Sequence, residues 1–168
     1  FIFAASVLNR YRYRRGTHLL MWGIGLILYG LGTLSEVILS FSFSVAVLKI
    51  WYLSGAMLTA AWLGQGVIWL LVRRPGIAQA LTYLLAGVSL LAVVLVAAAP
   101  VTALAESYIV SQPISSQYKE ILVRSGLITA LTIILNLYGT VTLVGGALYS
   151  AYLFWRKSIL LNRVIGNI

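Results

Sequence analysis

Glu36 is the one acidic residue attached to an apolar run long enough to cross a membrane. A carboxylate inside a bilayer is costly to keep charged, so it marks a candidate proton relay or cation site. At about 100° per residue it lies about 20° from Gly25 and about 40° from Gly32 around the helix, on a face where glycines let a neighbouring helix approach. That position predicts a carboxylate held against protein. Glu36 also lies about 17 residues beyond Leu19, roughly 26 Å along the axis, close to one end of its span. The structural alternative is an interfacial Glu that hydrogen-bonds locally or pairs with Lys49, and the depth favours it because depth sets the cost of the charge.

Two further constellations place polar groups inside apolar runs. Gln65 sits deep in the segment WLGQGVIW, on a helix face with Ser54, Leu58 and Ala61, while Ala56, Ala60 and Gly64 form a ladder of small residues roughly opposite. A buried amide can bind a polar ligand or join two helices through a hydrogen bond worth about 1 kcal/mol, and the second role is the more common. Ser125, Thr129, Thr132, Asn136 and Thr140 follow spacings that make one stripe down a later span. Such a stripe could line a polar path. It could equally be a packing face, since hydroxyls satisfy the carbonyls of their own preceding turn. Thr142, Gly146 and Ser150 form another small-residue ladder and suggest a second helix contact on that segment. Glu36, Gln65, Thr132 and Asn136 together form the candidate intramembrane polar site.

Other chemistry is poorly supplied. The chain has one histidine, no cysteine and no aspartate. Thiol chemistry, disulfides and cysteine-bound metals are therefore excluded, and a Ser-His-Asp constellation cannot be assembled. His18 alone provides neither a bis-histidine haem nor a His-rich metal site; it could ligate a chlorin or meet an anionic headgroup, and its place beside a basic cluster favours the headgroup. No catalytic residue, metal ligand or definite cofactor is expected. The glycines of GIGLILYGLG (residues 23–32) mimic a nucleotide loop only in composition, because a phosphate loop must follow a strand and open a helix in water. Gly23 and Gly30 share one helix face and Gly25 and Gly32 nearly the opposite one, so this helix should lie between two neighbours.

The elements that position these residues follow from hydropathy. The composition is 61% hydrophobic and 9% charged, against about 25% charged in ordinary soluble domains. About 20 apolar residues span a hydrocarbon layer of about 30 Å. Runs at about 19–39, 50–72, 77–99 and 126–155 meet that length, and an apolar stretch over 1–9 reads as part of another helix whose beginning is absent. The expected fold is all-α, a polytopic transmembrane helical bundle forming one domain over residues 1–168. Residues 101–125 make the only long polar connection, in which YKEILVR could form a short interfacial helix. The renewed apolar start at Val164 predicts a further helix beyond Ile168. Trp22, Trp51, Trp69, Trp155, Tyr11, Tyr13 and Tyr152 fall near span ends, where amphipathic rings favour the headgroup level.

Orientation follows from charge. The formal net charge is +9, and nine of the twelve basic residues fall in three clusters: Arg10, Arg12, Arg14 and Arg15; Arg73 and Arg74; Arg156, Lys157 and Arg163. Short loops rich in Lys and Arg stay in the cytoplasm, which places these clusters inside and residues 101–125 outside. Basic residues at span ends do not form the single solvated face that nucleic acid requires, so anionic lipid headgroups are the expected partners of these residues and of His18, with no nucleic acid.

RYRYRRGTHLLMWGIGLILYGLG (10–32), WYLSGAMLTAAWLGQGVIWLL (51–71) and NRVIGNI (162–168) resemble the middle of uncharacterised bacterial membrane proteins of about seven helices. The resemblance implies an inner-membrane location, absent helices at both ends, an outside N-terminus and an inside C-terminus; it carries no activity and no site residues. No Lys stands deep in the matched spans where a retinal Schiff base would need one. The expected function is a non-catalytic accessory or scaffold subunit working with other transmembrane subunits. The alternatives are a transporter or channel built on Glu36, Gln65 and the Asn136 stripe, and a membrane-embedded sensor module. No span shows the Gly/Pro-broken, unwound centre often found at transporter sites, which weighs against the transporter.

Overall fold

The computed structural model describes residues 1–72, 74–110 and 112–165, with backbone alone at Pro75 and over 157–165. Six helices make up the fold, and no strand is formed among the described residues. They are α1 (Ile2–Arg14), α2 (Thr17–Leu39), α3 (Val45–Leu71), α4 (Pro75–Ala98), α5 (Ile114–Ile121) and α6 (Gly126–Ile165). Four of them, α2, α3, α4 and α6, are long and apolar enough to cross a membrane. This is the all-α polytopic bundle that the hydropathy pattern predicts.

The boundaries differ from the hydropathy estimates in three places. α1 runs through the RYRYR cluster to Arg14, because positive charge in the last turn complements the carbonyl end of a helix. Arg15 then takes a left-handed conformation with φ 46°, its N–H reaching the Tyr11 carbonyl at 2.7 Å, and α2 begins two residues later. α3 starts at Val45 rather than near Ile50, since the Lys49 ammonium finds a partner and need not stay in water. α6 continues through Arg156 to Ile165 instead of stopping at Trp155.

α3 holds an unexpected feature. Its residues Tyr52–Leu58 wind as a π-helix, wider than the α-helical turns on either side. Widened turns loosen backbone carbonyls, and side chains take them up: Ser54 Oγ donates to the Ile50 carbonyl at 2.6 Å, and Thr59 Oγ1 donates to the Ser54 carbonyl at 2.6 Å. Hydropathy and glycine spacing do not announce this segment, and it is not the Gly/Pro-broken, unwound centre considered for a transporter.

α2 lies between α1 and α3, as its two glycine faces predict. Gly23 faces Leu8 of α1 and Gly30 faces Phe1 just before it, whereas Gly25 faces Leu63 and Gly32 faces Gly55 of α3. A Cβ on Gly32 would lie 2.7 Å from the Gly55 Cα, so only glycine permits this crossing. The small-residue ladder of α3 meets α6, with Ala60 against Gly139 and Gly64 against Gly139 and Thr142. Gly146 continues this same contact against Val67 and Leu71, so the Thr142 ladder extends one interface rather than opening a second. Residue order along these contacts makes α1, α2, α3 and α4 successively antiparallel and sets α6 parallel to α3. α4 meets the bundle through one stripe of Ala78, Leu85, Ser89, Ala92 and Val96, and its other faces remain exposed.

The connection over residues 101–125 folds onto the bundle end formed by the close of α2 and the start of α3. A bridge between Val101 and Leu122 closes its two ends. α5 is amphipathic and buries Ile114 and Ile121 against a cluster with Leu39, Leu48, Trp51 and Tyr52. Tyr118 packs on Trp51 and Tyr52 at centroid distances of 5.3 and 5.8 Å, with the Arg124 guanidinium 5.2 Å above its own ring.

Candidate functional site

The structure divides the four predicted polar residues into three separate environments. Gln65 is fully buried where α3, α4 and α6 converge. Its amide nitrogen donates to the Ala78 carbonyl at 2.9 Å and to Thr82 Oγ1 at 2.7 Å, and its oxygen accepts from the Tyr138 hydroxyl. Thr82 Oγ1 also accepts from the Trp69 indole at 2.8 Å and donates to the Ala78 carbonyl at 2.8 Å. The amide thus joins three helices with its donors and acceptor engaged inside the protein. Trp69, expected at a span end as an interfacial anchor, is instead a member of this network.

Thr132 and Asn136 form a second cluster at the π-helical segment. Thr132 Oγ1 and the Tyr52 hydroxyl lie 2.9 Å apart, and Asn136 Nδ2 donates to the Ala56 carbonyl at 2.8 Å and to the Thr132 carbonyl at 2.9 Å. Asn136 therefore holds a carbonyl of the widened turn from the facing helix. The remainder of the predicted stripe does not continue as a path. Ser125 caps the start of α6 through the Ile128 N–H at 3.3 Å, and Thr140 is exposed.

Glu36 forms the third environment, and two expectations about it are corrected. It is exposed rather than enclosed by the glycine contact, standing at the rim of a cavity of about 240 Å³ lined by Tyr29, Gly32, Thr33, Trp51, Gly55 and Ala56. The close Gly32 to Gly55 crossing forms the floor, leaving the carboxylate one helical turn above it. Nor does Glu36 pair with Lys49. The Lys49 ammonium donates instead to the Ala97 carbonyl at 2.7 Å, at the carbonyl end of α4 where the helix dipole attracts a cation. No hydrogen bond or ion pair to the Glu36 carboxylate is formed among the described residues. The cavity touches the π-helical segment through Gly55 and Ala56, so Glu36 and Asn136 flank the same widened turns.

The basic residues assigned to lipid headgroups gather at the opposite end of the bundle. Arg10, Arg12 and Arg14 lie on the last turns of α1, Arg15 forms the left-handed cap, His18 stands in the first turn of α2, Arg74 precedes α4 and Arg156 lies late in α6. All the arginines among them are exposed and His18 is half-buried. Arg73 and the side chains of Lys157 and Arg163 lie outside the described residues. Glu106 and Glu120 are exposed on the segment that covers the other end.

Sequence reading missed Tyr138, Thr82, Trp62 and Ser89 as polar partners. The Trp62 indole donates to Ser89 Oγ at 3.1 Å, joining α3 to α4. The periodicity of Thr82 and Ser89, seven residues apart on one face of α4, was the available signal. In the covering segment the Tyr108 hydroxyl donates to the Leu39 carbonyl at 3.0 Å, and burial pushes its phenol above the ordinary value. Comparison with protein-family models, with curated proteins and with solved structures returns no match for this chain.

Proposed function

We propose that this protein is a non-catalytic bundle of transmembrane helices that serves as an accessory or scaffold subunit in a larger membrane assembly. One observation carries the reading: within the described spans, no fully buried side-chain polar atom lacks a partner. Among the described residues the single such orphan is Arg124 Nε, which lies before α6 begins. Polar groups that recognise a solute keep free donors or acceptors aimed at a cavity. Those of Gln65 and Thr132, and the amide nitrogen of Asn136, are instead directed across helix contacts. The exposed faces of α4 and α6 are apolar, with Leu84, Leu90, Val94, Ile133, Ile134 and Leu137 outward, and suit lipid or the helices of neighbouring subunits. The basic clusters at one end of the bundle suit an inner membrane with that end in the cytoplasm. Purification from native membranes without cross-linker tests the role. A stable set of transmembrane partners is expected, and a monodisperse protein that recovers alone at every detergent strength would overturn it.

A second reading rests on Glu36. An unpaired carboxylate over a cavity beside a π-helical turn is the arrangement a proton or cation site needs, and π-bulges recur at functional sites. Replacement by Gln keeps the shape of Glu36 and removes its charge. Under the scaffold reading, Glu36→Gln leaves assembly of the host complex unchanged. Coupled ion or proton flux by the purified wild type in proteoliposomes, abolished in Glu36→Gln, would establish the second reading in place of the first.

A further inference from the structure

The turn between α1 and α2 borders an open cleft of about 400 Å³ lined by Arg10, Arg14, Gly16, His18, Leu19 and Trp22. We propose that this cleft is a binding site for a phosphoryl oxyanion, held by the Arg10 and Arg14 guanidinium groups and the His18 imidazole. The assignment requires only the membrane-embedded bundle and is independent of the scaffold role.

Arg10 and Arg14 stand four residues apart, on one face of α1, where like charges repel unless an anion lies between them. The left-handed turn at Arg15 reverses the chain within two residues and brings the first turn of α2 against that face. His18 is then positioned from two sides. Its ring meets Trp22 edge to face at 5.4 Å and folds over Gly16, where a Cβ would lie 2.6 Å from its Cε1. Gly16 therefore makes room for the imidazole.

Among the described residues, no acidic side chain lies near this group. The three acidic residues are Glu36, Glu106 and Glu120. Glu36 lies about 29 Å along α2 from its start at 1.5 Å per residue, and the other two are on the segment covering the far end of the bundle. Four arginines within six residues therefore draw their counter-charge from outside, and guanidinium forks match tetrahedral phosphoryl oxygens in geometry as well as charge. The cleft contains Leu19 and Trp22 as well, so a charged group meets an apolar wall at one site. The first backbone N–H groups of α2, which receive no side-chain cap, reinforce the preference for an anion.

A phospholipid headgroup and a free phosphate share this chemistry, and the experiment separates them. The purified full chain in a neutral detergent is titrated with phosphatidylglycerol, phosphatidylcholine or inorganic phosphate, and bound species are counted by native mass spectrometry. Phosphatidylglycerol should bind the wild type at one preferred site. Arg10→Gln/Arg14→Gln should lower its affinity at least about 50-fold, the loss expected for two charge-assisted contacts. Arg156→Gln, at the same end of the bundle, should lower it about five-fold or less, the long-range share of a single charge. Gly16→Ala pushes only the end of the His18 ring, so it should weaken binding several-fold without changing the unfolding temperature. Competition by inorganic phosphate at equal concentration would assign the site to the free ion; its failure to compete assigns it to the lipid. The proposal is overturned if the double variant keeps affinity within five-fold of wild type. It is also overturned if Arg156→Gln loses as much, or if phosphatidylcholine binds as well as phosphatidylglycerol. Should the double variant fail to fold, unchanged affinity in both Gly16→Ala and His18→Gln overturns it.

Discussion

Replacing Gln65 by Leu separates a structural amide from a ligand-binding one. Leu fills nearly the same space, so the change removes hydrogen bonds without opening a large cavity. Three bonds disappear, those to the Ala78 carbonyl and Thr82 Oγ1 and the one from the Tyr138 hydroxyl. Interhelical hydrogen bonds in membranes average about 0.6 kcal/mol, so their direct loss amounts to about 2 kcal/mol. Thr82 keeps its bonds to Ala78 and Trp69 and is not orphaned. Tyr138 loses its acceptor and faces a Leu, which adds about 1 to 2 kcal/mol. Gln65→Leu should therefore destabilise the bundle by about 3 to 4 kcal/mol. Tyr138→Phe alone leaves the Gln65 oxygen without its donor and should cost about 1 to 2 kcal/mol. The double variant removes both ends of that bond and should cost about 1 to 2 kcal/mol less than the two single losses added together. Reversible unfolding in mixed micelles, followed by circular dichroism, measures all three. A Gln65→Leu protein as stable as wild type, or strict additivity in the cycle, would refute the reasoning and mark the amide as one reserved for a ligand.

The glycine contacts rank differently by the atoms they meet. Gly64→Leu drives a side chain into Thr142 and the Gly139 backbone and should cost about 3 kcal/mol or more, whereas Gly30→Leu meets the Phe1 ring, which can turn aside, and should cost about 1 kcal/mol. Leu90→Ala removes an exposed side chain and should cost less than either in the same unfolding assay; a larger loss there would contradict the packing scheme. Asn136→Leu releases the Ala56 carbonyl and should cost about 1 kcal/mol while accelerating amide exchange over residues 52–58, and unchanged exchange would show that Asn136 does not hold the π-helical turn. For orientation, the absence of native cysteine permits single-Cys labelling: a Cys at Ser115 should react with an impermeant reagent in intact cells and one at Arg74 should not. The reverse pattern would invert the proposed topology.

Hydropathy made the spans legible because membrane-length helices must satisfy their backbone internally, and length with composition suffices to find them. The two glycine faces of α2 were legible for a similar reason. Seven-residue spacing places Gly23 with Gly30 and Gly25 with Gly32, and a helix has few ways to use two small faces other than contact on both. The π-helical turn in α3 was not legible. YLSGAML contains no proline and only one glycine, and the widened turn depends on groups remote in sequence: Gly32 approaching Gly55, and Asn136 reaching Ala56 across 80 positions. Lys49 fails as a predicted partner of Glu36 for the same reason. Both residues sit near one end of the bundle, but rotation of α3 aims the ammonium at the carbonyl end of α4, a choice that pairwise sequence distance does not contain.

That misplaced pair bears on Glu36. With Lys49 engaged elsewhere and Arg124 stacked over Tyr118, no described cation meets the carboxylate, although depth near the bundle end lets water or headgroups reach it. Depth alone therefore sets the cost of this charge, because an interfacial carboxylate is tolerated by hydration whereas one several ångströms deeper must bind a proton or a cation. Trp51 lines the same cavity and is buried, its ring packed on Tyr118 of the covering segment. Removing that cover by Tyr118→Ala should open the cavity from above. If Glu36 is only an anchor, the change loosens the segment over residues 101–125 and leaves membrane conductance at background in wild type and variant alike. If Glu36 lies on an ion path, proton or cation leak through reconstituted Tyr118→Ala should rise above that of wild type, and Glu36→Gln in the same background should return it to the baseline. A leak that depends on Glu36 would count against the scaffold reading more directly than any loss of stability, because a structural carboxylate has no means of carrying charge.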